Sequence, residues 1–193
     1  MVNVLPRKIS LAISTLLFIF VSPVNALPGD NINVATGRLN NSVLLRGVPL
    51  RETRLGNHVS YSASFRHRGN PARVAISSPD RPFTNSLIPS ISILQNPPLG
   101  FRLIRDGYNL RQDEEFLELL TSIWGNSLVQ DFRSSRFTDR QLEQDNNRTF
   151  RTAYKGQRFG YIASWYCSDI DCTFYFHIYS HNDWEFHRKP AVL

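Results

Sequence analysis

Cysteine is scarce in this chain: only Cys167 and Cys172 occur in 193 residues. A lone C-x4-C could supply half a metal site, but no further Cys exists to complete one. There is no G-x-S-x-G, no H-E-x-x-H and no phosphate-binding glycine loop, so the common nucleophile, zinc-protease and nucleotide signatures are missing. Lysine is absent from Leu27 to Arg111. No apolar run after Val21 is long enough to cross a bilayer as a helix. Internal repeats and low-complexity tracts are also lacking. No motif fixes a reaction.

What is present begins at the N-terminus. Arg7 and Lys8 precede an almost wholly apolar run from Ile9 to Val21, and Val24-Asn25-Ala26 places small residues at −3 and −1 of a cleavage site. That is the layout of a secretory signal peptide. The apolar run is too short to span comfortably, which favours cleavage over an uncleaved anchor. No Cys follows it to carry a bacterial lipid anchor. The expected organisation is a signal peptide over 1–26, an irregular Asn- and Gly-rich lead-in over 27–41, and one α+β domain over 42–193. Residues 27–193 are enough to bury a core. Export places the product in the periplasm or outside the cell, where an even Cys count favours a disulfide.

Charge divides the mature chain. Residues 27–111 hold 11 Arg and 4 acids, whereas 112–193 hold 9 basic and 12 acidic residues. The Arg-rich half would suit an anionic partner such as RNA, lipid headgroups or an acidic protein. Alternatively, its scattered arginines pair with the acidic half or reflect a preference for Arg over Lys.

Short apolar runs broken by turn residues follow the lead-in, beginning with Val43-Leu44-Leu45. Tyr61, Ala63 and Phe65 alternate with Ser60, Ser62 and Ser64, the period of a strand with one buried face. Gly69-Asn70-Pro71 suggests a loop of several residues leading to a second strand over Arg73–Ser77. Pro89 makes any strand over Ser86–Leu94 an edge or an interrupted one. Asn96-Pro97-Pro98 is a break, and Phe101–Ile104 would be one more short strand.

Phe116, Leu119, Leu120, Ile123 and Trp124 fall on one helical stripe, with Gly125 suited to the position just past the helix. Its start lies near Asn109 or at Asp113. A second helix is expected from Thr138 and Gln141 as a capping box, with Phe137 and Leu142 as a hydrophobic staple. The last fifty residues give the strongest β signal: Phe150–Tyr154, Phe159–Cys167 and Cys172–Ser180 read as a three-stranded antiparallel meander. The expected fold is this meander packed on one main helix, with additional short N-terminal strands.

Pairing Cys167 directly with Cys172 sets the hairpin register. Trp165 then faces Phe174, Ala163 faces Phe176 and Tyr161 faces Ile178, all on the core side. The other side carries Tyr166 with Thr173, Ser164 with Tyr175 and Ile162 with His177, and Tyr179 continues it. A slip of one residue would invert the sorting. In one reading the Arg-rich N-terminal strands cover this second face and the Tyr hydroxyls find backbone partners. In the other the face stays open and binds a ligand through Tyr166, Tyr175, His177, Tyr179 and Arg151.

Three further chemistries are open to these residues. A metal site from His177, His181 and Asp183 would need a turn right after Ser180, since residues four apart on a strand stand roughly 13 Å apart. A polar, solvated C-terminal segment is the simpler reading. A secreted nuclease-like hydrolase would use His177 as acid or base, with Arg151 or Arg158 holding phosphate, but no Glu falls on the expected meander strands. Asn40-Asn-Ser and Asn147-Arg-Thr match the glycosylation pattern, which matters only in a eukaryotic secretory route. The leading expectation is a small non-enzymatic binding or assembly module of the periplasm or exterior. It calls for no cofactor and no metal, and its ligand is unspecified.

Export with cleavage after Ala26 is directly testable: N-terminal sequencing of the exported product should begin at Leu27. An intact Met1 on a membrane-bound product would refute it.

Overall fold

The alternation at Ser60–Phe65 extends into two long neighbouring strands. In the computed structural model, which describes residues 27–78, 87–95, 110–143, 149–167 and 171–188, β1 (Arg51–Leu55), β2 (His58–His67), β3 (Asn70–Ser77) and β4 (Ile88–Gln95) form one antiparallel meander. The connection from β2 to β3 is a two-residue turn, Arg68-Gly69, with positive φ at both positions; it is tighter than the expected loop of several residues. A second meander consists of β5 (Arg136–Glu143), β6 (Thr149–Lys155), β7 (Gly160–Cys167) and β8 (Cys172–Tyr179). The two are joined where β4 pairs with β8, giving one eight-stranded sheet in the order β1-β2-β3-β4-β8-β7-β6-β5.

This corrects the expected fold class. The three anticipated strands are β6, β7 and β8, but they belong to one continuous sheet rather than to a small meander on a single helix. Among the described residues four α-helices accompany the sheet: α1 (Ile32–Asn40), α2 (Glu114–Trp124), α3 (Asn126–Arg133) and α4 (His181–His187). The stretch expected to be an irregular lead-in therefore contains α1. Its Asn31 side chain accepts from the amides of Asn33 and Val34, so an Asn that suggests a loop by composition acts here as an N-cap.

The Thr138–Gln141 segment is strand β5, not a helix. A bulge between Phe137 and Asp139 turns the Thr138 hydroxyl toward the Ala153 carbonyl, 3.2 Å away. A helix started there would have only a few residues before the polar Asp145-Asn146-Asn147 stretch, too few to offset nucleation, whereas the strand gains a ladder along β6. β4 is likewise not an edge. Pro89 lies opposite Ile76 of β3, and the β4–β8 ladder begins only at Ser90, so the missing N–H falls at the start of the strand. The expected break at Asn96–Pro98 and strand at Phe101–Ile104 lie outside the described residues.

α2 follows its sequence pattern closely. Asp113 is the N-cap and accepts from the Phe116 amide at 3.0 Å, which decides between the two possible starts. Gly125, at φ 77°, ends α2 and opens α3. Phe116, Leu120 and Trp124 of α2, with Phe132 of α3 and Leu39 of α1, bury one face of the sheet. Against them lie Ile91 and Ile93 of β4, Phe174 and Phe176 of β8, and Tyr161 and Trp165 of β7. The Phe116 ring meets Phe174 and Phe176 edge-on at 5.4 and 5.0 Å.

Within this core sits one buried carboxylate. Asp131 of α3 accepts from the Arg158 amide at 2.9 Å, the Phe159 amide at 3.3 Å and the Tyr161 hydroxyl at 2.7 Å. It thus ties the β6–β7 turn to the helix layer. Burial, reinforced by the Asp131 hydrogen bond, pushes the Tyr161 phenol well up and keeps it a donor. Asp131→Ala would orphan all three donors and should cost about 2–4 kcal/mol in a urea melt. A loss under 0.5 kcal/mol would show the clamp to be dispensable.

Candidate functional site

The Cys167–Cys172 disulfide closes the β7–β8 hairpin, with the two Cα atoms 4.0 Å apart. The register it implies is the observed one, running from Cys167↔Cys172 through Trp165↔Phe174, Ala163↔Phe176 and Ile162↔His177 to Gly160↔Tyr179. Side chains alternate along each strand, so Phe174, Phe176 and Ile178 enter the core while Tyr175, His177 and Tyr179 emerge on the second face.

On that face the rings form a continuous file. Tyr166 meets Tyr175 edge-on at 5.5 Å. Tyr175 and His177 lie parallel at 6.2 Å, and His177 and Tyr179 at 5.9 Å. His187 of α4 extends the file, stacked on Tyr179 at 4.8 Å. Arg151 of β6 joins this end, because its guanidinium donates to the His187 carbonyl. The structure thus brings together four expected side chains, Tyr166, Tyr175, His177 and Tyr179, with Arg151 alongside. Arg158 is elsewhere: its guanidinium lies over the Phe159 ring at the β6–β7 turn.

Neither reading of the face holds in full. The N-terminal strands do not cover it; they extend it sideways, as part of the same sheet. What lies on it is α4, where a solvated tail was expected. Ser180 caps this helix reciprocally, accepting from the Asp183 amide at 3.2 Å and donating to the Asp183 carboxylate at 2.6 Å. Trp184, 1 % exposed, packs with Ala153, Ile162 and Tyr179. Its indole sits so close to Gly160 that a methyl group there would overlap the ring, and its N–H donates to the Tyr161 carbonyl at 3.3 Å. Lys155 anchors the outer side through Glu185 at 3.0 Å. The Ser180-x-x-Asp183 spacing carried the signal for this helix.

α4 covers only the Tyr179 end. Tyr166 is 50 % exposed, and Tyr175 and His177 are partly exposed. The β4–β8 ladder places Ser92 beside Tyr175 and Ser90 beside His177, residues that the sequence alone did not assign to this site. Their partner strand could not be found by periodicity, because β4 and β8 are far apart in the chain.

The electrostatics argue against an acid–base pair. Burial, and then the charges of Arg151 and His187, lower the His177 pKa to about 4. Among the described residues no carboxylate pairs with it. Tyr179 is pushed up to about 12, chiefly by burial. The His177, His181 and Asp183 triad does not form: the His181 ring nitrogen lies 3.2 Å from the Gly156 carbonyl, and Asp183 is engaged by Ser180. Among the described residues no group of three or more His, Cys, Asp or Glu side chains is placed to hold a metal ion. Among them, too, no helix is long and apolar enough to cross a membrane.

Comparison with protein-family models, with curated proteins and with solved structures finds no match for this chain.

A pH titration of stability probes the half-buried His177 ring. The folded pKa of His177, near 4, lies below its ordinary 6.5, so between these values the unfolded chain binds more protons than the folded one. The neutral imidazole's contribution is complete above about pH 6.5 and is lost as pH falls toward 4. His67, also lowered by burial, acts in the same direction. His177→Gln should therefore reduce the stability loss from pH 7 to 4 by about 1–3 kcal/mol relative to wild type. Parallel pH curves for the two proteins would show that His177 titrates normally.

Proposed function

We propose that this protein is an exported, non-enzymatic binding or assembly module, and that Tyr166, Tyr175, His177, Tyr179 and Arg151 mark its binding face. The carrying observation is the chemistry beside His177. Its neighbours are two phenols, Ser90, Arg151 and a second imidazole, His187. Among the described residues no carboxylate orients the ring or shares its proton, and both cationic neighbours disfavour protonation. A general acid or base works best with a pKa near the operating pH, and these surroundings move His177 away from it. The same groups suit non-covalent contact: ring edges, hydroxyl groups and a guanidinium, all mounted on strands rather than loops. Export is supported by the charged, apolar and small-residue order of residues 7–26 and by the disulfide.

The test compares His177→Ala with wild type on a fluorogenic RNA between pH 4 and 8, with denaturant melts run in parallel. We expect no turnover by either protein. His177→Ala should lose about 1–2 kcal/mol of stability, against about 3–5 kcal/mol for the core variant Phe176→Ala. RNA cleavage by wild type that His177→Ala abolishes would overturn the binding reading in favour of a hydrolase.

A further inference from the structure

The second face of the sheet has a composition that the Tyr/His file alone does not reveal. On β1–β4 and β6–β8, no Asp or Glu occupies this face; Asp139 and Glu143 come to it only at the β5 edge, in register with Ala153 and Thr149. On β1–β4 and β6–β8 the charged residues of this face are Arg51, Arg66, Arg73, Arg151 and Lys155. The nearby acids of α4 are already engaged, Asp183 by Ser180 and Glu185 by Lys155 and Arg188. The remaining polar positions are serines and threonines, the tyrosines of the file, His58 and His177.

One row runs straight across the strands: Ser64, Arg73, Ser92, Tyr175, Ser164 and Arg151 are successive cross-strand neighbours. At the usual spacing of neighbouring strands, its two arginines stand about 19 Å apart. Arg73 is exposed and donates to the Ser62 hydroxyl at 2.7 Å, which holds its guanidinium over the face. The row passes beyond the C-terminal end of α4, where Arg151 meets His187.

We propose that this row is a binding strip for a linear acidic polysaccharide, one carrying carboxylates on hydroxyl-rich sugars. The inference rests on the binding reading above and names its ligand class. Charge complementarity requires an anion, because the strip offers guanidinium groups with no acid among its strand residues to neutralise them. The separation of Arg73 from Arg151 calls for an extended chain with repeated charge rather than a single small anion. The serine and phenol hydroxyls both donate and accept, which matches a ligand rich in hydroxyls. Nucleic acid fits less well. Sequence-tolerant binding of single strands relies on aromatic faces on which bases stack, yet Tyr175, His177 and Tyr179 lie parallel to one another and spend those faces within their own file.

The experiment measures binding of the 27–193 protein to polygalacturonate at low ionic strength. Neutral dextran, poly(U) and poly-L-glutamate serve as comparators, and Arg73→Gln, Arg151→Gln and Tyr175→Ala as variants. Melts confirm that each variant is folded, and Arg73→Gln is the informative one should Arg151→Gln loosen α4. We expect polygalacturonate to bind, to be released by added salt and to bind Arg73→Gln about tenfold more weakly, while dextran does not bind. Stronger binding of poly(U) or poly-L-glutamate would overturn the polysaccharide assignment. Dextran binding that is weakened by Tyr175→Ala but not by Arg73→Gln would overturn the anionic strip and leave the Tyr/His face as the site. No binding to any of the four would overturn the proposal, whereas RNA cleavage dependent on His177 would instead defeat the reading on which it rests.

Discussion

The β4–β8 ladder holds this protein together. Each meander is a local structure whose paired strands are consecutive in sequence, and only the pairing of Ser90–Gln95 with Cys172–His177 makes them one sheet. The chain between β4 and β8 must run through α2, α3 and three further strands before this ladder can close, so the contact carries a long-range entropy cost. Its two faces offset that cost differently. On one side Ile91 and Ile93 meet Phe176 and Phe174, and Phe116 seals the pair edge-on. On the other side Ser90 and Ser92 meet His177 and Tyr175. The first set drives burial; the second sets up the candidate site as a consequence of the same register.

That dual role explains why the site is half legible in the sequence. The disulfide fixes the facing pairs of β7 and β8, and alternation then sorts Tyr166, Tyr175, His177 and Tyr179 onto one side without reference to any other strand. The stripe from Phe116 to Trp124 similarly declares α2, because five large apolar residues at helical spacing have few other arrangements. The neighbours of His177 are another matter. Ser90 and Ser92 are brought there by a tertiary pairing, and Pro89 argued locally for an edge strand. The proline is accommodated because the pairing of β4 with β8 stops one residue short of it, at Ser90↔His177, a detail of register that composition does not carry.

Two misreadings share a physical cause. Thr138 and Gln141 match a capping box, but a cap stabilises only a helix that has enough residues to follow it; beside the exposed edge of β6 the segment gains more as a strand. At Ser180 the converse holds. The same kind of motif was present, and the helix after it is equally short, yet Trp184 finds a complementary seat over Gly160. Caps mark where a helix can begin. Tertiary burial of one large side chain decides whether it does.

The polarity of the second face follows from how the helices are distributed. α1, α2 and α3 all bury the opposite face, and among the described residues only the seven of α4 return to this one. An antiparallel sheet with one solvated face normally intersperses charges of both signs there, which limits attraction to any one partner. Here the strand residues of β1–β4 and β6–β8 on that face include arginines and a lysine but no acid, while the acids of the chain gather in α2, in α4 and on β5. Among the described residues, Arg73 and Arg151 donate to a hydroxyl and a carbonyl rather than to an acid, so this segregation does not serve ion pairing within them. A cationic, hydroxyl-lined surface on a rigid sheet is therefore better explained by an external anion than by the needs of the fold.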